Sequence, residues 1–200
     1  ISLLIMSMLY PIISGGSPFL AAVQILIINI IMDSLNSLSF GGEPPKEEYM
    51  KEKPLRKGSG LFINGAMARI LDTTVDFLLI FGIIIFFKNL YPTEIESMTA
   101  RFAALCIAAV FNGFSIRTDS INLFKGVREN KLFIYIAIGI IAATLLLCNI
   151  AGNFVQTTAL NLRQWIFVFA LPSCMIGGEL LARLIYSIKN KNKENRKWDF

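Results

Sequence analysis

Apolar runs follow one another along this chain at about the length of a bilayer crossing, and that restricts what it can fold into. Residues 19–40, 70–87, 98–116, 132–150 and 165–188 each approach the roughly 20 apolar residues that a transmembrane helix needs. The opening run 1–14, ISLLIMSMLYPIIS, is too short for that and reads as the end of a span whose start lies upstream of Ile1. With 54% hydrophobic and 16% charged residues in 200, the chain is too apolar for a soluble domain of its size. The expectation is an all-α fold, a polytopic transmembrane helix bundle whose first partner is the lipid bilayer.

The net charge of +5 raises the question of nucleic acid, and its distribution answers it. Sixteen of the nineteen Lys and Arg fall in loop 41–69, in segment 117–131, or at Arg183 and along the tail 189–200. Lys88, Arg101 and Arg163 fall on the opposite side. That is a topology signal; it predicts a multi-pass protein with those loops and the C-terminal tail in the cytoplasm, and no nucleic-acid footprint. Histidine is absent, which removes the usual general base and zinc ligand. Cys106, Cys148 and Cys174 lie inside apolar runs with no paired spacing, so neither a disulfide framework nor a metal cluster is predicted. No Gly-rich phosphate loop follows a strand, and the chain offers no catalytic and no cofactor-binding residue.

One run departs from the apolar pattern. In Gln24 to Pro45, QILIINIIMDSLNSLSFGGEPP, a regular helix places Asn29, Asp33 and Asn36 on one face within about 60° of arc. A carboxylate near mid-bilayer costs about 2.5–3.5 kcal/mol on insertion scales, so it needs a partner or a function. Amide and carboxylate oxygens suit a hard cation such as calcium, while a packing role, hydrogen-bonded to a neighbouring helix, is the competing explanation. Elsewhere the bland readings are favoured. Asp72 and Asp76 lie near the basic loop and Arg69, Glu179 and Arg183 are four apart at a helix end, and both settings fit interfacial ion pairs. Gly15 to Pro18 predicts a tight turn, Pro172 a bend in the last helix, and the tail a solvated segment or a contact with anionic lipid.

The run VQILIINIIMDSLNSLSFGGEPP resembles the sixth transmembrane helix and following loop of P-type calcium-transporting ATPases. The resemblance continues through KPLRKGSGLFING, VFNGFSIRTDSINLFKGVRENKLF and QWIFVFALPSCMIGGELLARLI, and covers nearly all 200 residues. It implies the C-terminal transmembrane module of such a pump, from the end of the fifth helix to the tenth. Residue by residue it implies Asn29 and Asp33 as metal ligands, with the fifth-helix ligand at or just before Ile1. Met32 and Ala109 stand where two-site relatives carry oxygen-bearing side chains, so the chain is similar to the single-site plasma-membrane and secretory-pathway pumps. Ile27 replaces the usual aromatic before the Asn ligand, and Asn36 replaces a small residue or Pro. The transported ion implied is Ca2+, with Mn2+ as the alternative. ATP and Mg2+ would belong to cytoplasmic domains outside these residues, since there is no DKTGT motif, and the remaining N-terminal part of the same pump is the implied protein partner. A secondary cation transporter using Asp33 as a proton or sodium site, and a non-transporting membrane scaffold, are the alternatives; no inverted repeat supports the former.

Overall fold

A computed structural model describes residues 2–44, 66–86, 90–117, 122 and 126–195. The basic residues of loop 46–65, Lys88, the tail from 196, and the side chains of Met32, Asp72, Asp76, Glu179 and Arg183 lie outside the described residues.

Every regular element among the described residues is a helix. In order they are α1 (Ser2–Ser14), α2 (Ala22–Ile27), a π segment (Ile28–Met32), α3 (Asp33–Phe40), α4 (Ala66–Phe86), α5 (Glu94–Ile116), α6 (Lys131–Ile150), α7 (Gly152–Val155) and α8 (Leu162–Asn195). By length and composition, Ala22–Phe40, Glu94–Ile116 and Lys131–Ile150 are long and apolar enough to cross a membrane. Between α1 and α2 the predicted turn is present: Gly15 and Gly16 take φ of 77° and 110°, a region that costs glycine little, and Gly16 N–H reaches Pro11 O at 2.8 Å. Directly after it, Phe19, Leu20 and Ala21 are buried.

The core forms around α5. Ala100, Ala103, Ala104 and Ala108 are fully buried along it, and α4, α6 and α8 pack against it, with α3 touching both α5 and α6. In hydrocarbon, where water provides no drive for helices to associate, small side chains matter because they let backbones approach and gain dispersion contacts. The start of α5 is closed by a capping box: Thr93 Oγ1 accepts from Glu96 N–H at 3.2 Å and Glu96 Oε2 accepts from Thr93 N–H at 3.3 Å. Away from α5, one flank of α6 shows Leu132, Tyr135, Ile138, Leu146 and Ile150 exposed, an apolar face suited to lipid.

Arg101 is not placed as a loop charge. It sits inside α5 at 0% exposure, donating to Glu94 Oε1 at 2.9 Å and Ser97 Oγ at 3.2 Å. Its guanidinium carbon lies 4.3 Å from the Tyr10 ring centre and 5.3 Å from that of Phe19. Tyr10 donates its hydroxyl to the same Glu94 oxygen at 2.7 Å. The buried charge is therefore balanced by one carboxylate and two ring faces, and the cluster ties α1 and the entry to α2 onto α5. Glu94→Gln removes that carboxylate and is expected to cost about 1–3 kcal/mol, less than for a fully buried pair because Glu94 is 40% exposed. A thermal-unfolding midpoint in detergent equal to the parent's would show the pair to be inert.

Tyr91, in the connection before α5, is 1% exposed, and its hydroxyl has no hydrogen-bond partner among the described residues. Burial pushes that hydroxyl above the usual tyrosine range. The folded protein thus keeps the proton when the unfolded chain releases it near pH 10, and stability falls as pH rises beyond that. Tyr91→Phe is expected to match or exceed the parent's thermal stability at neutral pH and to lose less of it at alkaline pH, as read from paired melting curves.

Candidate ion-binding site

The helix carrying Asn29 and Asp33 is broken between them. Ile28 N–H bonds Gln24 O and Ile25 O, whereas Asp33 N–H reaches back five residues to Ile28 O. This widened turn replaces regular α geometry over INIIM. A step of seven across it therefore departs from the bearing that a regular helix would give. Asn29 and Asp33 share an exposed stripe with Leu26, Ile30, Ser34, Ser37 and Leu38, but Asn36 is half-buried. Asp33 and Asn36 both belong to the regular helix α3, so the π turn changes the bearing of Asn29 relative to these two.

Neither Asn29 nor Asp33 hydrogen-bonds or ion-pairs to another side chain among the described residues. Ala109 and Asn112, on α5, are half-buried, and Ala109 has no side-chain oxygen to offer. Among the described residues no group of three or more His, Cys, Asp and Glu is placed to hold a metal. Asp33 brings two oxygens and Asn29 one, against the six to eight that calcium takes, so this face is a partial coordination shell.

Both ends of the broken helix are held by polar anchors that composition and hydropathy did not single out. At one end Gln24 is fully buried: its Oε1 accepts from Ala21 N–H at 3.2 Å, and its Nε2 donates to Val155 O and Gln156 O, each at 3.1 Å. Gln156 presents its carbonyl from a left-handed conformation, φ 54° and ψ 48°. Gln164 repeats the device at the start of α8, accepting from Asn161 N–H at 2.7 Å and donating to Leu90 O at 2.8 Å. At the other end Glu43 accepts from Arg117 Nε at 2.8 Å and Nη2 at 3.1 Å, and from Asn130 Nδ2 at 3.0 Å. Asn130 Nδ2 also donates to Ser39 O at 3.0 Å, while its Oδ1 caps α6 at Phe133 N–H, 2.9 Å away. The available clue was a polar residue inside or at the end of an apolar run: Gln24 passes as one more helix residue, Glu43 as part of a helix stop, and Arg117 as a loop charge.

An all-helical membrane chain with an acid and an amide on one face of a broken helix is the class these observations define. Residues 17–185 match the family model for the C-terminus of cation transporting ATPases, and the chain belongs to that family. It is 31% identical over 168 residues to a probable plasma membrane-type calcium-transporting ATPase of Oryza sativa subsp. japonica, covering 80% of this chain and 16% of that protein. To the plasma membrane-type calcium-transporting ATPase 10 of Arabidopsis thaliana it is 33% identical over 181 residues, covering 86% of this chain and 17% of the relative. A plasma membrane calcium-transporting ATPase of Caenorhabditis elegans is 29% identical over 180 residues, with 82% and 14% covered. The chain thus spans about a sixth of the length of the curated relatives it matches.

With three ligand oxygens from Asn29 and Asp33 together, the 200-residue chain alone is expected to bind Ca2+ with a dissociation constant of about 1 mM or weaker. Isothermal titration in detergent checks this, and micromolar binding would mean that other groups of the chain complete the shell.

Proposed function

We propose that this chain is the C-terminal membrane part of an ATP-driven, P-type calcium pump of the single-site plasma-membrane or secretory-pathway kind, moving Ca2+ out of the cytoplasm. The observation that carries the reading is the Asn29 and Asp33 pair, exposed together on the π-containing helix and unclaimed by other described side chains, in a chain of this family. The names of the relatives support calcium as the ion, and the oxygen-only donor pair is compatible with it. The same donors accept Mn2+, the alternative ion. Asp33 supplies charge, and Asn29 supplies a neutral dipole that orients the ion without overbalancing it.

In this reading the rest of the pump, outside these residues, completes the shell around the exposed face and contains the ATP and Mg2+ sites. Phosphorylation of its cytoplasmic aspartate shifts the helices between two arrangements. In one, Asn29 and Asp33 have their outside partners and hold the ion; in the other they lose them and release it on the far side. The chain crosses the bilayer several times, with the tail after residue 188 in the cytoplasm, a reading that the skew of basic residues supports. Ala109 leaves no second site beside Asn112, so one ion is moved per cycle.

Asp33→Asn in the intact pump keeps the side chain's shape and removes its charge. Uptake of radioactive calcium into vesicles is expected to fall by at least about tenfold at micromolar calcium. Unchanged uptake would remove Asp33 from the site and return it to the packing role.

A further inference from the structure

The anchors at the two ends of the broken helix bear on how its ion ligands are placed. Gln24 holds the α2 end to the backbone of the α6–α8 connection through two carbonyls, with three hydrogen bonds on a side chain of 0% exposure. Glu43 holds the α3 end through a bidentate contact to Arg117, which follows α5, and a further contact to Asn130, which caps α6. Packing reinforces this second anchor. A Cβ built on Gly42 would lie 2.8 Å from Asn130 Oδ1 and 3.2 Å from Leu132 Cβ, so the backbone is pressed onto the start of α6. Phe40 meets Phe133 with ring centres 6.2 Å apart, and Gly113 of α5 leaves the space under that ring, 3.3 Å from where its own Cβ would be. Between the anchors Ile28 is buried in the core, while Asn29, Ile30, Asp33 and Ser34 are exposed and the backbone is in the π register.

We propose that Gln24 and Glu43 are positioning residues for the ion ligands: they pin both ends of the broken helix to the α5, α6 and α8 scaffold, so that Asn29 and Asp33 change position by a local change of the π segment. Rigid tilting of the whole helix would have to pull the Glu43 carboxylate from Arg117 and Asn130, or the Gln24 amide from two buried carbonyls, and leave charged or polar groups without partners. Moving the wide turn along the helix, from one set of residues to the next, re-aims the side chains it passes while both ends keep their rotation and height, and it requires neither loss. The inference rests on the proposal that Asn29 and Asp33 hold the ion.

A covalent lock tests it. In the intact pump, Gly42→Cys with Leu132→Cys places two Cβ atoms near the 3.5–4.5 Å of a disulfide, and the oxidised and reduced forms of this one variant are compared for calcium uptake. Rates within about twofold of each other are expected, because the locked end stays in place through the cycle. Loss of uptake on oxidation, restored by reduction, overturns the proposal. Glu43→Gln and Gln24→Met form the second arm and decide the matter if the cysteine variant is inactive when reduced. Each is expected to raise the half-saturating calcium concentration about tenfold with maximal rate within about twofold of the parent. A parental calcium dependence in both, or a fall in maximal rate alone, overturns it. The parent reading fails separately, if Asp33→Asn leaves uptake unchanged whatever the lock does.

Discussion

Close approach to α5 is the condition on which the other contacts depend. Its fully buried alanines keep the helix thin where α4, α6 and α8 meet it, and in a solvent as apolar as the side chains themselves, only such tight dispersion contact and interhelical polar bonds favour association. Once α5 is enclosed, its two ends become fixed platforms. Arg101 near one end receives Tyr10, Phe19 and Glu94, and Arg117 just past the other receives Glu43. Each arginine places a charge where it is nearly or fully desolvated, so each is met by a carboxylate and by ring faces: Glu94 from the first turn of α5 itself with Tyr10 and Phe19 from α1 and the turn after it, and Glu43 from beyond α3 with Phe133 from α6.

The helix bearing Asn29 and Asp33 is held unlike the others. Its ends are bound by directional polar contacts, and its middle is a widened turn whose amide and carboxylate are exposed. A fully regular, fully packed helix would be the more stable solution in a bilayer, since π turns hydrogen-bond less well and an exposed carboxylate is costly there. Local departures of this kind collect at working sites, where the strain is retained because the surroundings fix it and the function uses it.

Much of the fold was legible from hydropathy. The helices cover the apolar runs, the Gly15–Pro18 turn falls where glycine and proline punctuate the chain, and TEIE at 93–96 spells its own capping box. Periodicity placed Asn29, Asp33 and Asn36 on one face by assuming a regular helix throughout; a π segment lies between Asn29 and Asp33, and Asn36 is half-buried where the other two are exposed. Nothing in the period of INIIMD distinguishes an i−4 from an i−5 hydrogen bond. Arg101 misled for a similar reason: counting charges by segment treats every arginine at a helix end as solvated, whereas this one has ring and carboxylate partners that come from α1, the turn after it and the first turn of α5.

What the sequence determined by itself is whatever follows from local composition: that the chain is helical and built for lipid, where its helices lie, and that one of them carries an acid and an amide a turn apart. Those properties need only the cost of placing a residue type in hydrocarbon and the pitch of a helix. What the tertiary structure alone decided is where that helix breaks and what pins it, because Gln24 meets Val155 and Glu43 meets Arg117 across 131 and 74 residues of chain. A side chain's choice among distant backbone carbonyls and guanidinium groups is an energetic balance of the assembled bundle, and no window along the chain contains both sides of it.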